Sequence, residues 1–129
     1  MIKLCFAVTL SISAAIAVGI SPSIAASNKA SGPRTLIGNS IHEVDPVDGE
    51  LWDYYRPDGT GAGLAASGER NQFTWTINGN ELCRTYSDPP VECSTFEFSG
   101  NSGVEASVSG NEVGQRVPFE LIRGNPKGL

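Results

Sequence analysis

The amino-acid sequence predicts an all-β domain in which eight short antiparallel strands form an up-and-down barrel or a sandwich. From position 49 onward, glycine or proline recurs about every ten residues, and the segments between are rich in Val, Ile, Thr, Tyr, Phe and Trp. After the N-terminal segment, no stretch shows a sustained helical period of apolar residues. Short strands at this spacing are typical of all-β barrels and sandwiches.

The first 25 residues have the features of a secretory signal peptide. Lys3 supplies a positive charge, an apolar stretch follows over residues 4–20, and Ser23-Ile24-Ala25 places small residues at a cleavage site. We therefore expect export to the periplasm or the outside of the cell, with no membrane span after cleavage. Residues 26–34 are small and polar and predict a flexible lead-in, which leaves residues 35–129 for one β domain.

The eight expected strands follow the turn signals. Connections this short favour pairing between consecutive strands. The first strand contains Gly38-Asn39, where we expect a bulge or a break. The expected ranges are 35–44, 51–56, 61–66, 71–77, 81–87, 92–98, 103–108 and 115–122.

Alternating apolar and polar residues predict which side chains fill the interior, because one face of each strand is buried and the other is exposed to solvent. The expected core or pocket lining is Phe73, Trp75, Ile77, Phe96, Phe98, Val117, Phe119 and Leu121. In the seventh strand, Val104, Ala106 and Val108 alternate with Glu105 and Ser107, and the same rule turns the apolar set inward.

The cysteines predict one disulfide. Cleavage removes Cys5 and leaves Cys83 and Cys93, an even pair in an exported protein. A hairpin that turns near residues 88–90 would place them opposite each other, on the face away from the aromatic residues.

Composition excludes several functions. The chain has 9 Lys+Arg and 14 Asp+Glu, a formal net charge of −5, and its basic residues are scattered. Nucleic-acid binders need basic clusters, so we expect no nucleic-acid partner. One histidine and three cysteines exclude His-rich metal cages and Cys₄ zinc sites, and we expect no cofactor.

Two segments carry candidate chemistry. The acidic segment 43–53 has the oxygen ligands that calcium prefers, with Asp45, Asp48 and Glu50 as the candidates, although its spacing is not that of an EF-hand. His42 is the only base available for a Ser-His-Asp triad, with Ser40 and Asp45 close in sequence. A solvated acidic loop and a surface histidine are the simpler interpretations of the two segments.

The densest aromatic run, over residues 52–56, predicts a contact surface, since Trp, Tyr and Arg dominate binding hot spots. Alternation sends Trp52 and Tyr54 to one face of the strand and Tyr55 to the other, and core packing is the competing interpretation. The glycine-rich segment 59–63 lacks the Lys-Ser/Thr of a phosphate loop and predicts a hairpin that needs small side chains. The expected contact residues are Trp52, Tyr54, Tyr55, Arg56 and Tyr86.

The order of these signals resembles a family of small exported proteobacterial proteins that are lipocalin-like in outline and of unknown function. The resemblance covers residues 35–129 and supplies no catalytic residues. It rests on Gly38-Asn39, Tyr54-Tyr55, Asp58-Gly59, Trp75, Gly79, Leu82-Cys83, Cys93 and Gly124-Asn125-Pro126. The expected architecture also invites comparison with small periplasmic inhibitors of lysozyme and of proteases, by analogy of fold alone.

The first functional hypothesis is a non-catalytic binding protein that contacts another protein, such as a basic periplasmic or extracellular hydrolase. Removing the signal peptide leaves 8 basic against 14 acidic residues, a net charge of −6 that would speed association with a basic partner. The second is a carrier of a small apolar ligand inside the barrel. The third is a hydrolase that uses His42 or the acidic segment 43–53.

Overall fold

The computed structural model describes residues 32–87 and 91–129, which form one 3-10 helix and eight β-strands. Each strand is antiparallel to the next, and the eighth pairs with the first, so the sheet closes into a barrel. The expected up-and-down order is confirmed, and a closed barrel replaces the alternative of a sandwich. The strands are β1 (Asn39–Asp45), β2 (Gly49–Tyr55), β3 (Thr60–Leu64), β4 (Arg70–Asn78), β5 (Glu81–Thr85), β6 (Glu92–Ser99), β7 (Ser102–Ser109) and β8 (Arg116–Arg123).

The first expected strand was too long at its N-terminal end. Residues Gly32–Leu36 form the 3-10 helix, and Gly38, with a φ of 78°, turns the chain into β1. Only glycine adopts such a φ readily, and the proline at position 33 favours a helical start. The helix also takes up the last residues of the expected lead-in. The signal peptide and residues 26–31 lie outside the described part of the chain.

The 3-10 helix covers one end of the barrel, which we call the closed end. It contacts β1 and, across the barrel, the neighbouring strands β5 and β6. Its Leu36 is fully buried and joins the interior cluster. The amide of Gly38 donates to the carbonyl of Tyr55 at 2.7 Å, which fixes the helix to the end of β2. The helix therefore acts as an apolar plug.

Aromatic and aliphatic side chains fill the half of the barrel next to this plug. Of the expected core residues, Phe73, Phe96, Phe119 and Leu121 are buried. Trp75, Ile77 and Phe98 are half-buried and pack against them. The cluster also contains Ile41, Tyr55 and Leu82, which the expected core did not include. Val117 is half-buried and lies outside this cluster.

The disulfide between Cys83 and Cys93 is confirmed. The two residues are direct partners on β5 and β6, with their Cα atoms 4.0 Å apart. Their neighbours Leu82 and Arg84 are buried in the interior, so the bond lies on the outer wall, as alternation requires. The connection near residues 88–90, where the hairpin was expected to turn, lies outside the described residues.

The glycine-rich segment gives β3 an inner face without side chains. A Cβ atom on Gly61 would overlap the ring of Phe73, and one on Gly63 would overlap the side chains of Asn71 and Asp53. The expected need for small residues is therefore confirmed. The missing side chains leave room for an aromatic ring at one level of the barrel and for polar groups at the next.

Replacing Gly61 with alanine should lower the free energy of unfolding by about 2 kcal/mol, because an added methyl group in a packed core forces its neighbours to shift. Urea unfolding measures the loss. The second change Phe73→Leu should then cost less in the Gly61→Ala chain than in the unchanged chain. Equal costs in both chains would show that the Phe73 ring is not what excludes a side chain at position 61.

Candidate functional site

The opposite end of the barrel is open and holds a cavity of about 150 Å³. Among the described residues, this open end is bounded by the connections 46–48, 65–69 and 110–115, and β1, β3, β5 and β7 end there. Seven of the residues that line the cavity are carboxylic acids, and Arg84 is the only basic residue among them. The seven are Glu43, Asp45, Asp48, Asp53, Glu92, Glu105 and Glu112.

The polar lining arises because two strands turn their acidic residues inward. On β7, Glu105 is buried, whereas Val104 and Ala106 are half-buried and Val108 is exposed. The expectation that the apolar set of β7 faces the core was therefore wrong. On β1, Glu43 and Asp45 are buried on the same face as Ile41. An alternating pattern shows that a strand has two faces, but it does not say which one faces the interior.

Arg84 joins the acidic groups at the bottom of the cavity. Its side chain is 9 % exposed, and Nη1 donates to Asp53 Oδ2 at 2.9 Å and to the Tyr55 hydroxyl oxygen at 3.2 Å. Nη2 donates to Glu105 Oε1. Burial alone would lower the pKa of Arg84, but the nearby Glu105, Tyr55 and Asp53 outweigh it and hold that pKa above its usual value. Arg84 is thus a permanent cation between two acidic groups.

Glu43 and Glu105 form a pair that requires a proton. Glu43 Oε1 and Glu105 Oε2 are both buried, and neither has a partner among the described residues if both groups are ionised. Burial, the charge of Glu105 and a hydrogen bond to Glu105 raise the pKa of Glu43 to about 10. At neutral pH, Glu43 is therefore a neutral acid that donates to Glu105, which gives both oxygens a partner.

Asp53 occupies the next position around the cavity wall. Burial raises the pKa of Asp53 to about 6, although the charge of Arg84 opposes this shift. Its Oδ1 lies where a side chain on Gly63 would have to be, so this glycine is what allows the carboxyl group to fit.

The remaining acids of the lining lie nearer the mouth of the cavity. Asp45 Oδ1 accepts hydrogen bonds from the amides of Val47 at 2.6 Å and Asp48 at 2.9 Å. Burial and the charges of Glu92, Asp45 and Asp48 raise the pKa of Glu112. These four acids come from three different connections or strand ends, and they repel one another because none of them has a basic partner in the lining.

The structure does not form the calcium site considered for Asp45, Asp48 and Glu50. Asp45 caps its own turn, and Glu50 lies on the outer wall, where it accepts from Trp52 Nε1 at 3.1 Å. Within 32–87 and 91–129, the one group of three possible metal ligands is Glu81, Cys83 and Cys93, and the two sulfur atoms are bonded to each other.

The expected contact residues do not form one surface. The Trp52 ring stacks on His42 with 4.4 Å between ring centres, and Lys127 Nζ lies 4.6 Å from the Trp52 ring centre. Tyr54 is half-buried on the same strand, and Arg56 donates to the Thr60 hydroxyl at the closed end. Tyr55 has no exposed surface, so its assignment as a contact residue was wrong, since β2 turns it into the core.

Tyr86 is half-buried next to the disulfide hairpin and lines the cavity, as does Trp52. Of the five expected contact residues, these two border the cavity. Sequence reasoning missed the inward-facing acids, since Glu43 and Asp53 were assigned to the acidic segment 43–53 and Glu105 to the polar face of its strand. Arg84 was counted only among the scattered basic residues.

The histidine triad is not assembled. The Ser40 hydroxyl donates to the carbonyl of Gly124 at 2.7 Å, and His42 Nε2 lies 2.9 Å from Glu50 Oε1 on the outer wall. Asp45 is buried on the inner face of the same strand. The three groups therefore do not act on one another.

The residues expected to line an apolar pocket do not enclose one in the described part of the chain. The aromatic residues proposed to line one pack against each other, and only Val117 of the expected set borders the cavity. The space in this barrel is polar and acidic.

No protein-family model, curated protein or solved structure matches the sequence. The resemblance to small exported proteobacterial proteins stays a prediction. None of the helices in the described residues has the length and apolar character needed to cross a membrane.

Replacing Glu43 with glutamine should change how stability depends on pH. The pKa of Glu43 is about 10 in the folded chain and near 4.5 when unfolded, so the folded state holds the extra proton between these values. The stability from this proton is fully present below pH 4.5 and is lost as the pH rises toward 10. We expect the unchanged chain to lose more than about 1 kcal/mol between pH 5 and pH 8, and Glu43→Gln to lose much less.

Urea unfolding at several pH values measures this slope. Glu97→Gln is the matched control, because Glu97 is exposed on the outer wall and its change should leave the slope intact. A Glu43→Gln chain with the same slope as the unchanged chain would contradict the proton assignment.

Proposed function

We propose that the chain is an exported, non-catalytic binding protein that contacts a basic protein through the open end of its barrel. The acidic cavity is the observation that carries the proposal. Seven carboxylic acids and one arginine line it, and that arginine is already paired with Asp53 and Glu105. A protein surface with this charge distribution favours a positively charged partner.

The charge of the cavity is concentrated near its mouth. Arg84 offsets the acids at the bottom, and Glu43 is neutral there because it holds a proton. Asp45, Asp48, Glu92 and Glu112 have no basic partner in the lining. An approaching cation therefore meets the uncompensated negative charge first, which favours contact at the surface over deep entry.

A basic secreted hydrolase, such as lysozyme or a protease, is the partner class that this surface suits. The described acids of the open end lie on or next to the strands of a closed and disulfide-bonded barrel, which favours a contact surface that is formed before binding. A rigid surface loses little conformational freedom on association, which suits an inhibitor.

The cavity offers less support for the other two hypotheses. An apolar ligand would meet a lining of carboxyl groups, and burying those groups without partners is costly. If the barrel carries a small molecule, a small polar cation fits its chemistry better. For a hydrolase, the raised pKa values of Glu43 and Asp53 would suit proton transfer, but His42 contacts Glu50 and Trp52 on the outer wall and not a serine hydroxyl.

Neutralising the mouth should weaken binding to a basic partner. In the double variant Asp48→Asn and Glu112→Gln, both changes are at exposed positions, so the fold should be retained. The partner is any protein that binds the unchanged chain in a panel of basic secreted hydrolases that includes lysozyme. We expect its affinity for the double variant to be about tenfold lower, because two attractive charges are lost. Calorimetry at low salt measures the change, and added salt should weaken the unchanged chain as well.

The matched control is Glu81→Gln with Glu97→Gln, which removes the same charge from the outer wall. This control should bind nearly as well as the unchanged chain. Equal losses in both double variants would mean that net charge, and not the open end, attracts the partner. A panel without any binding at low salt would remove the proposal.

A further inference from the structure

The large exposed hydrophobic residues of the described chain all lie at the open end. Val44 and Val108 are the second-last residues of β1 and β7, Val47 and Val113 lie in the connections that follow these strands, and Val91 directly precedes β6. Val47 is 88 % exposed and Val113 is 65 % exposed. The connections 46–48 and 110–115 and the residue before β6 therefore carry apolar surface around the acidic mouth.

The closed end has a different composition. Its connections between strands are Arg56-Pro57-Asp58-Gly59, Gly79-Asn80 and Gly100-Asn101, which contain no large aliphatic side chain. Single exposed hydrophobic residues are common on proteins, but their confinement to one end is not explained by chance exposure of this kind. Apolar surface grouped around a polar centre is typical of sites where another protein binds.

We propose that the open end is a docking surface for one lysine or arginine side chain of a partner protein, whose neighbouring apolar residues pack against the exposed valines. This inference rests on the proposed function and adds the chemistry of the contact. The lysine or arginine group of the partner complements the negative charge of the mouth. The apolar residues around it bury the exposed valines.

The geometry determines how deep the cation can go. Arg84 lies at the bottom, where its Nη1 and Nη2 atoms donate to Asp53, Glu105 and the Tyr55 hydroxyl, and it repels a second positive group. Nearer the mouth lie Asp45, Asp48 and Glu112, with Glu92 opposite Arg84 at the start of β6, and these acids belong to different strands and connections. An ammonium or guanidinium group among them would relieve their mutual repulsion.

Two other occupants fit these observations less well. A free small amine would use the acids but leave the valines exposed. A second copy of the same chain would bring two acidic mouths together, and like charges across an interface disfavour association. A basic side chain on a protein surface uses both the acidic centre and the apolar surroundings.

The test uses the peptide acetyl-Leu-Lys-Leu-amide as a probe, with methyl NMR signals of the full chain as the readout. We expect the signals of Val47 and Val113 to shift in a saturable way, with at least about tenfold tighter binding than n-butylamine shows. Replacing lysine in the peptide with norleucine removes the charge at similar length and should abolish binding. Sedimentation of the chain alone should show a monomer.

Valine variants then test the apolar contribution. Val47→Thr with Val113→Thr keeps side-chain volume but adds hydroxyl groups, and it should weaken the lysine peptide about threefold or more. Val104→Thr, at a half-buried position of the outer wall away from the mouth, is the control and should leave the affinity unchanged.

Several results would overturn the inference. If n-butylamine bound as tightly as the lysine peptide, the cavity would be a small-amine site. If the norleucine peptide bound as tightly as the lysine peptide, the charge would have no role. A dimer through the open end would make a second copy the occupant. Unshifted valine signals would remove the docking surface. If the basic hydrolases still bound and still depended on Asp48 and Glu112 in any of these cases, the proposed function would stand without this mode of contact.

Discussion

The ion-pair cluster around Arg84 is the constraint on which the organisation of this barrel depends. A guanidinium group inside a β-barrel must have its charge compensated, because an unpaired buried charge is far more costly than an unpaired surface one. Asp53 on β2 and Glu105 on β7 supply that compensation, and Tyr55 adds a hydroxyl group. The cluster therefore fixes residues from three strands in the middle of the molecule.

This cluster also separates two environments. Toward the 3-10 helix, the interior is packed with aromatic and aliphatic side chains and contains Leu36. Toward the other end, Gly63 and the carboxyl groups leave a polar cavity. A barrel filled with apolar side chains along its whole length would be more stable but would offer no recessed charge, since buried ionic groups add little to stability.

The architecture could be predicted from the sequence, but the acidic cavity could not. Turn glycines and the alternation of Phe73, Trp75 and Ile77 place the strands, whose ends differ from expectation by no more than two residues from β2 onward. The pairing of Cys83 with Cys93 also follows from the register of one hairpin. These features depend on local sequence, which is why they could be predicted.

The acidic interior depends instead on contacts between distant residues. Glu105 points inward because Arg84 is there to receive it, and no pattern within β7 contains that information. Tyr55 was misplaced for the same reason, since its neighbours in sequence are other aromatic residues and its partner is Arg84, 29 positions away. Acidic residues at alternate positions, as at Glu43 and Asp45, were the available signal for an inward polar face.

Closure of the barrel has a consequence for how the chain folds. The pairing of Asn39 with Arg123 joins residues from almost opposite ends of the described chain. Contacts between residues so far apart form late, because a long segment must first lose its freedom, and proteins rich in them fold over milliseconds to seconds. Until β8 reaches β1, both strands have unpaired edges that other chains could join, so the last pairing to form is the one that protects the protein from aggregation.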